Sequence, residues 1–179
     1  MSILKEDKHR KKALIEVAER MMIAARTAPK GKGIDTLEIA LVEGRDIEKI
    51  ADRMVEISER NNTSPAFGRD AGNILQSEVI VLIGTKIKTL GLAYCGLCGF
   101  ASCDEKIKHS EIPCVFNTGD LGIAIGSAVS IAMDARVDNR IMYTVGMAVK
   151  ELGLFGDDVK VIYGIPLSAS SKNIFFDRK

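Results

Sequence analysis

The first apolar pattern in the chain has helical spacing. Its members recur at steps of three and four residues within residues 7–28, and they are Leu14, Val17, Ala18, Met21, Met22 and Ala25. One proline and two glycines in residues 29–33 then end this helix and form a loop. Residues 37–41 place a large aliphatic side chain at every second position, which predicts a strand with one buried face.

A second helix and a second strand follow in the same way. Gly44 starts a turn, and Asp46 is a plausible N-cap for an amphipathic helix that runs to about Arg60. Residues 66–77 are ambiguous between a short helix and a loop. Residues 79–83 form a continuous apolar run rich in β-branched side chains, which predicts a central strand covered on both faces.

The last third of the chain predicts two more helices and one more strand. The helix at 120–137 is the most apolar, yet its run is too short and too interrupted by polar residues for a membrane span. A helix at 140–152 ends at Gly153, which is suited to a C-terminal cap. A final strand at 159–163 is ended by the glycine and proline of residues 164–166.

Composition narrows the class of protein. The chain has 179 residues, 46% hydrophobic and 27% charged, which indicates one globular domain over residues 1–179. The net charge of +1 gives no electrostatic case for a nucleic acid or an anionic membrane as partner. The N-terminus lacks the apolar run of a signal peptide, so we expect a cytoplasmic protein.

All four cysteines lie in one stretch of twenty residues. Cys95, Cys98, Cys103 and Cys114 have the spacing C-x2-C-x4-C-x10-C. Because cytosolic thiols stay reduced, so dense a group is more typical of a metal site than of two disulfides.

Iron and zinc both accept four thiolates in tetrahedral geometry, so the ligand type does not distinguish them and the spacing of the cysteines is the next criterion. Structural zinc sites usually present two short ligand pairs, and here only Cys95 and Cys98 form one. The two histidines, His9 and His109, do not supply a second pair. Glycines beside the cysteines allow backbone N–H groups to turn toward cluster sulfur. The pattern therefore favours a 4Fe–4S cluster, with zinc as the alternative.

The run Cys-Gly-Leu-Cys-Gly-Phe-Ala-Ser-Cys at 95–103 also resembles the core of small 4Fe–4S domains from anaerobic electron-transfer and corrinoid-linked proteins. In those domains the fourth cysteine lies further downstream and precedes Pro-Gly-Gly, whereas Cys114 precedes Val115 and Phe116. The whole chain resembles uncharacterised ferredoxin-domain proteins of anaerobic bacteria and archaea. This resemblance implies a cluster and names no substrate.

The segments outside the cysteines resemble the nitroreductase family. The segment 24–29, the strand after it and the helix from Asp46 follow the order found near that family's N-terminus, and residues 120–166 are similar to its C-terminal half. The resemblance implies an α+β fold, with a mostly antiparallel sheet packed with helices and a cysteine-rich loop. It also implies a homodimer with FMN at the interface, and it makes residues 91–118 a metal-binding insertion in the domain.

The flavin-binding residues of that family are largely replaced here. Where that family has an arginine-rich motif before its first helix, this chain has only the basic run His9-Arg10-Lys11. Residues 30–33 replace the serine and asparagine that hold the flavin ring in that family. Four basic residues remain as candidate contacts of a flavin phosphate, because lysine and arginine commonly bind phosphate. They are Lys30, Lys32, Lys172 and Arg178.

Three functions follow from these patterns. The first is an iron–sulfur electron-transfer protein with an unidentified redox partner, and the second is an FMN-dependent reductase in which the cluster relays electrons. The third is a structural or binding protein fastened by zinc. The chain has no placed nucleophile, histidine and carboxylate that would form a hydrolytic triad, so no catalytic residue is assigned.

Overall fold

The computed structural model describes residues 3–61, with no side-chain description of Asn61, and residues 64–176. In this part of the chain four strands form one antiparallel sheet in the order β1-β2-β4-β3. The strands are β1 (Leu37–Glu43), β2 (Val79–Lys86), β3 (Asp138–Asn139) and β4 (Val159–Ser168). The predicted α+β fold with an antiparallel sheet is confirmed.

Six α-helices accompany the sheet in the described ranges. They are α1 (Arg10–Thr27), α2 (Arg45–Asn61), α3 (Pro65–Ile74), α4 (Cys103–Lys106), α5 (Val115–Asp134) and α6 (Tyr143–Glu151). Short 3-10 turns lie at Glu6–Lys8 and Gly31–Gly33.

The sheet has a hydrophobic core on each face, and β2 contributes to both. Val79, Val81 and Ile83 pack with α1 and α5 on one side, and Ile80 and Leu82 pack with α2, α3 and α6 on the other. This division follows from the two-residue side-chain period of a strand. The prediction of a central strand with both faces covered is therefore confirmed.

The prediction that β1 buries one face is wrong. Ile39 and Leu41 pack partly buried against the α1 and α5 core, and Ala40 and Val42 pack partly buried against the other core. The reason is that β1 pairs only with β2 at the sheet edge, where helices cover both faces incompletely.

Two helices begin at residues other than those predicted from the pattern. Helix α2 begins at Arg45, so Asp46 lies inside its first turn, where its carboxylate accepts from Lys49 Nζ at 2.7 Å, and is not the N-cap. Helix α6 begins at Tyr143, because Met142 and Gly164 exchange two backbone hydrogen bonds of 2.8 and 3.0 Å and hold the preceding residue extended.

Strand β4 continues through Gly164 and Pro166, where the sequence pattern predicted its end. Gly164 N–H donates toward the β3 side, to Met142, and Pro166 lies on the same side two residues later. The N–H that Pro166 lacks would face the β3 side of β4, in the gap between the Met142 bridge and the β3 pairing. The hydrogen bonds between β2 and β4 are therefore unaffected.

Helix α5 is longer than predicted and occupies the core. It has 20 residues, and among the described residues it is the one helix whose length and composition would suit a membrane span. A core helix passes the same test, and α5 buries Leu121, Ala124 and Ala128 beside α1. Ser127 Oγ also donates to Ala24 O of α1 at 3.0 Å.

Candidate metal centre and the adjoining pocket

The four cysteines lie in the segment that connects β2 to α5, apart from the two helical cores. Gly96 and Gly99 have φ angles of 122° and 88°, and Gly99 N–H closes a turn on Gly96 O at 3.0 Å. Positive φ values are accessible to glycine at little cost, so both glycines are required by the local backbone. The turn lies between Cys95 and Phe100.

Two of the cysteines are positioned by helix starts. Cys103 is the first residue of α4, and Ser102 caps that helix because its Oγ accepts from Glu105 N at 3.2 Å. Cys114 is the N-cap residue of α5, with an extended backbone. The N-terminus of a 20-residue helix stabilises negative charge, so Cys114 lies where a negatively charged metal cluster would be stabilised.

The structure leaves the four thiols free and places them at different depths. Cys95, Cys98 and Cys103 are half-buried, and Cys114 is buried. Across the described ranges, no three His, Cys, Asp or Glu side chains converge as a group that could hold a metal ion. The cysteines thus share one loop without surrounding one point, and the ligand set stays a prediction. The donor chemistry, four free thiols with flexible glycines between them, fits an iron–sulfur cluster.

A buried lysine accompanies the cysteines. Lys106, at the end of α4, is 2% exposed, and its Nζ donates to His109 O at 3.1 Å. Its ammonium makes no ion pair with any residue that the structure describes. A buried cation is costly without a nearby negative charge. The sequence pattern does not distinguish this lysine, because a lysine in a run of charged residues resembles a solvated one.

Asn117 anchors the other end of the segment that connects β2 to α5, and the sequence pattern does not distinguish it either. Its side chain is buried, and its Oδ1 accepts from Lys88 N at 2.9 Å. Asn117 N–H in turn donates to Cys114 O at 2.9 Å. The beginning of the connection is therefore tied to the first turn of α5, beside Cys114.

A cavity of about 430 Å³ lies where the cysteine loop meets α1 and α5. Its walls come from the loop after α1, the cysteine loop and the first half of α5: Pro29, Lys30, Gly31, Leu97, Val115, Phe116, Gly119, Asp120 and Ile123. Asp120 is 7% exposed, and its two carboxylate oxygens accept from Gly31 N at 3.1 and 3.0 Å. We refer to this cavity as the Asp120 pocket.

The candidate phosphate contacts have different surroundings. Lys30 Nζ donates to three carbonyl oxygens at the end of α1, those of Ala25, Arg26 and Ala28, at 3.2, 2.7 and 2.8 Å. Lys32 is exposed in the 3-10 turn with φ 54°, and Lys172 is exposed near the C-terminus. Arg178 lies outside the described residues. The assignment of these four to a phosphate stays a prediction.

The loop that carries Lys30 is held at its far end by an ion pair. Arg26 Nη1 donates to Asp35 Oδ2 at 2.6 Å and to Leu37 O at 3.0 Å. Burial would raise the pKa of Asp35, but the hydrogen bonds from Arg26 and from Leu37 N–H outweigh it and lower that pKa from its ordinary value. The loop between α1 and β1 is thus held at two points: Lys30 binds the end of α1, and Asp35 binds Arg26. This loop forms one wall of the Asp120 pocket.

Comparison with known proteins identifies the family. A family model described as "Uncharacterized protein containing a ferredoxin domain" matches residues 111–178, a segment that includes Cys114 but not the other three cysteines. An uncharacterised protein of Archaeoglobus fulgidus is 43% identical over 185 aligned positions, which cover 98% of each chain. The chain belongs to this family of uncharacterised ferredoxin-domain proteins.

Solved structures of flavoproteins share the fold. A nitroreductase with bound FMN from Desulfitobacterium hafniense matches 96% of this chain and 81% of its own, with 11% identity and a TM-score of 0.61. A BluB-like flavoprotein from Clostridium difficile matches 88% and 84%, with 21% identity and a TM-score of 0.56. At such identities the similarity is one of fold, and the chain has a nitroreductase-like fold.

Proposed function

We propose that this protein is an iron–sulfur redox protein that holds one 4Fe–4S cluster through Cys95, Cys98, Cys103 and Cys114. The observation that carries the proposal is the buried ammonium of Lys106 in the cysteine loop, which has no anionic partner among the described residues. Four thiolates on a cluster supply a net negative charge in that loop. The ferredoxin domain in the family's description supports the choice of a cluster.

The bound cluster would supply one-electron transfer, and the chain supplies its surroundings. Lys106 offsets negative charge, and the N-terminus of α5 does the same for Cys114. Tyr94 is 97% exposed and Leu97 72% exposed on either side of Cys95. We propose this apolar edge of the loop as the contact surface of the redox partner. Free thiols accord with a reducing compartment such as the cytoplasm.

Metal and sulfide analysis of protein purified without oxygen tests the proposal. We expect brown protein with about four irons and about four acid-labile sulfides per chain, since four thiolates hold one such cluster. Colourless protein with one zinc per chain would contradict the cluster and favour the zinc-stabilised alternative.

Replacing Lys106 with methionine tests the charge argument separately. The change keeps the length and apolar stem of the side chain and removes its charge, which disfavours the more negative reduced cluster. We expect the reduction potential to fall by tens of millivolts, on the order of a Coulomb term in a partly screened interior. Protein-film voltammetry measures it.

The matched control is Lys108→Met, which removes a charge from an exposed residue of the same loop. Because water screens that charge, its substitution is expected to change the potential much less. Equal shifts in the two variants, or a rise in potential for Lys106→Met, would contradict the assigned role of Lys106.

We propose FMN-dependent reduction as the second candidate, favoured by the fold shared with a nitroreductase that has bound FMN. In this alternative the chain is a homodimer, FMN lies at the interface and the cluster relays electrons to it. Exposed apolar side chains on α1 and α5, such as Ile23 and Met133, are available to a second copy. Yellow FMN released on denaturation, together with a dimer mass by light scattering, would promote this candidate over the first.

A further inference from the structure

The Asp120 pocket has the size and lining of a small-molecule site. Its volume of about 430 Å³ falls within the range typical of ligand pockets. Five of its lining residues are apolar and carry side chains: Pro29, Leu97, Val115, Phe116 and Ile123. An apolar ring or short aliphatic chain therefore fits its walls.

The charge in the pocket is provided by Asp120. Asp120 is 7% exposed, and its carboxylate takes one backbone donor, Gly31 N–H, and makes no ion pair with any residue the structure describes. An ionised carboxylate accepts several hydrogen bonds, so acceptor capacity is left over at the pocket wall. A ligand that donates would satisfy it.

The lysine in the lining makes its hydrogen bonds elsewhere. Lys30 Nζ is bound to three carbonyl oxygens at the end of α1, where a cation also opposes the negative end of the helix. All three N–H donors of the Lys30 ammonium are thus used at the end of α1, whereas the Asp120 carboxylate can still accept. An anionic ligand would therefore find no free donor on Lys30 and would lie beside the Asp120 carboxylate.

From this geometry we infer that the Asp120 pocket binds a small organic cation, an ammonium group carried on an aromatic or aliphatic body. The ammonium donates to the Asp120 carboxylate, and the apolar body packs among Phe116, Ile123 and Leu97. Because Leu97 lies between Cys95 and Cys98, the bound ligand contacts the cysteine loop. This site is additional to the proposed cluster and does not depend on which metal the cysteines bind.

Calorimetric titration with three ligands of similar shape tests the inference on the full chain, purified without oxygen. The probes are 2-phenylethylammonium, 2-phenylethanol and 3-phenylpropionate. We expect the ammonium to bind about tenfold or more tightly than the alcohol, because a charge-assisted hydrogen bond replaces a neutral one, and the carboxylate to bind most weakly.

Asp120→Asn keeps an oxygen for Gly31 N–H and removes the charge. It is expected to reduce the ammonium's affinity about tenfold or more and to leave the alcohol's affinity within about twofold. Asp134→Asn, at the exposed end of the same helix, is the matched control and should change neither. Equal behaviour of the two variants would overturn the inference, as would a carboxylate that binds as tightly as the ammonium.

Gly119→Leu provides an independent block of the pocket. A Cβ at Gly119 would meet no atom within 4 Å, so a leucine side chain can extend into the cavity without a backbone clash. We expect binding of the ammonium to be lost while the melting temperature is maintained. Unchanged binding would overturn the inference. The inference would also be overturned if the wild-type protein contains FMN and the Gly119→Leu variant loses it, because the pocket would then be a flavin site.

Iron analysis of the same samples keeps the two proposals apart. Ammonium binding in protein without a cluster would contradict the cluster alone. A full cluster with no preference for the ammonium would contradict the pocket ligand alone.

Discussion

Cys114→Ser is expected to leave a folded protein that no longer assembles a stable cluster. The thiol is buried at the N-cap of α5, and serine is among the preferred N-cap residues, so the helix start keeps or gains stability. The cluster, by contrast, loses one of its four proposed ligands. Iron content after anaerobic purification should fall well below about four per chain, and the visible absorption should be lost.

Ser110→Ala is the control for this experiment, because Ser110 is an exposed residue of the same loop. It should keep its full iron content. Cys98→Ser extends the test to the half-buried end of the site, with loss of the cluster again expected. Full iron in Cys114→Ser would remove Cys114 from the ligand set, and the remaining three cysteines would then need another ligand.

Gly146→Ala is expected to have the largest effect on the stability of the fold. A Cβ at this position would lie 1.7 Å from Ile162 O and 2.5 Å from Ile162 C, so α6 and β4 are in backbone contact there. Overpacking typically costs about 1–3 kcal/mol, and because backbone atoms cannot move aside as a flexible side chain can, we expect a loss of about 3 kcal/mol here. Urea denaturation should show the loss in free energy of unfolding.

Gly122→Ala is the matched control, because Gly122 is exposed on α5 and a Cβ there would meet nothing within 4 Å. Alanine should stabilise this helix by roughly 0.5–1 kcal/mol, since glycine loses more backbone entropy on folding. Equal stability of the two variants would show that α6 can withdraw from β4 without cost.

Much of the fold could be predicted because its helices and strands follow from the local spacing of apolar residues. The three- and four-residue apolar steps that predicted α1 follow one side of a helix, and the β-branched run of β2 fits a strand covered on both faces. The start of α5 could not be predicted in this way. Its first turn, at 115–119, includes Asn117, whose burial depends on the backbone of Lys88 rather than on an apolar pattern.

The candidate site also has features that local spacing predicted and features that it could not predict. The spacing of the cysteines and the glycines between them pointed to a metal centre, and Gly96 and Gly99 adopt positive φ angles in a turn of that loop. The surroundings of Lys30 were not visible in the sequence. Whether its ammonium faces a phosphate or caps a helix depends on where the loop turns after α1.

The sequence alone determined the apolar face of α1, the two-sided burial of β2, the concentration of four thiols in one loop and the similarity to ferredoxin-domain and nitroreductase-like proteins. These properties depend on spacing between near neighbours in the chain, which side-chain periodicity records. Only the tertiary structure decided that Lys106 is buried and that Asp120 meets Gly31 across 89 positions. Such contacts depend on how separate elements pack, and a charged residue has the same letter whether it faces water or the wall of a pocket.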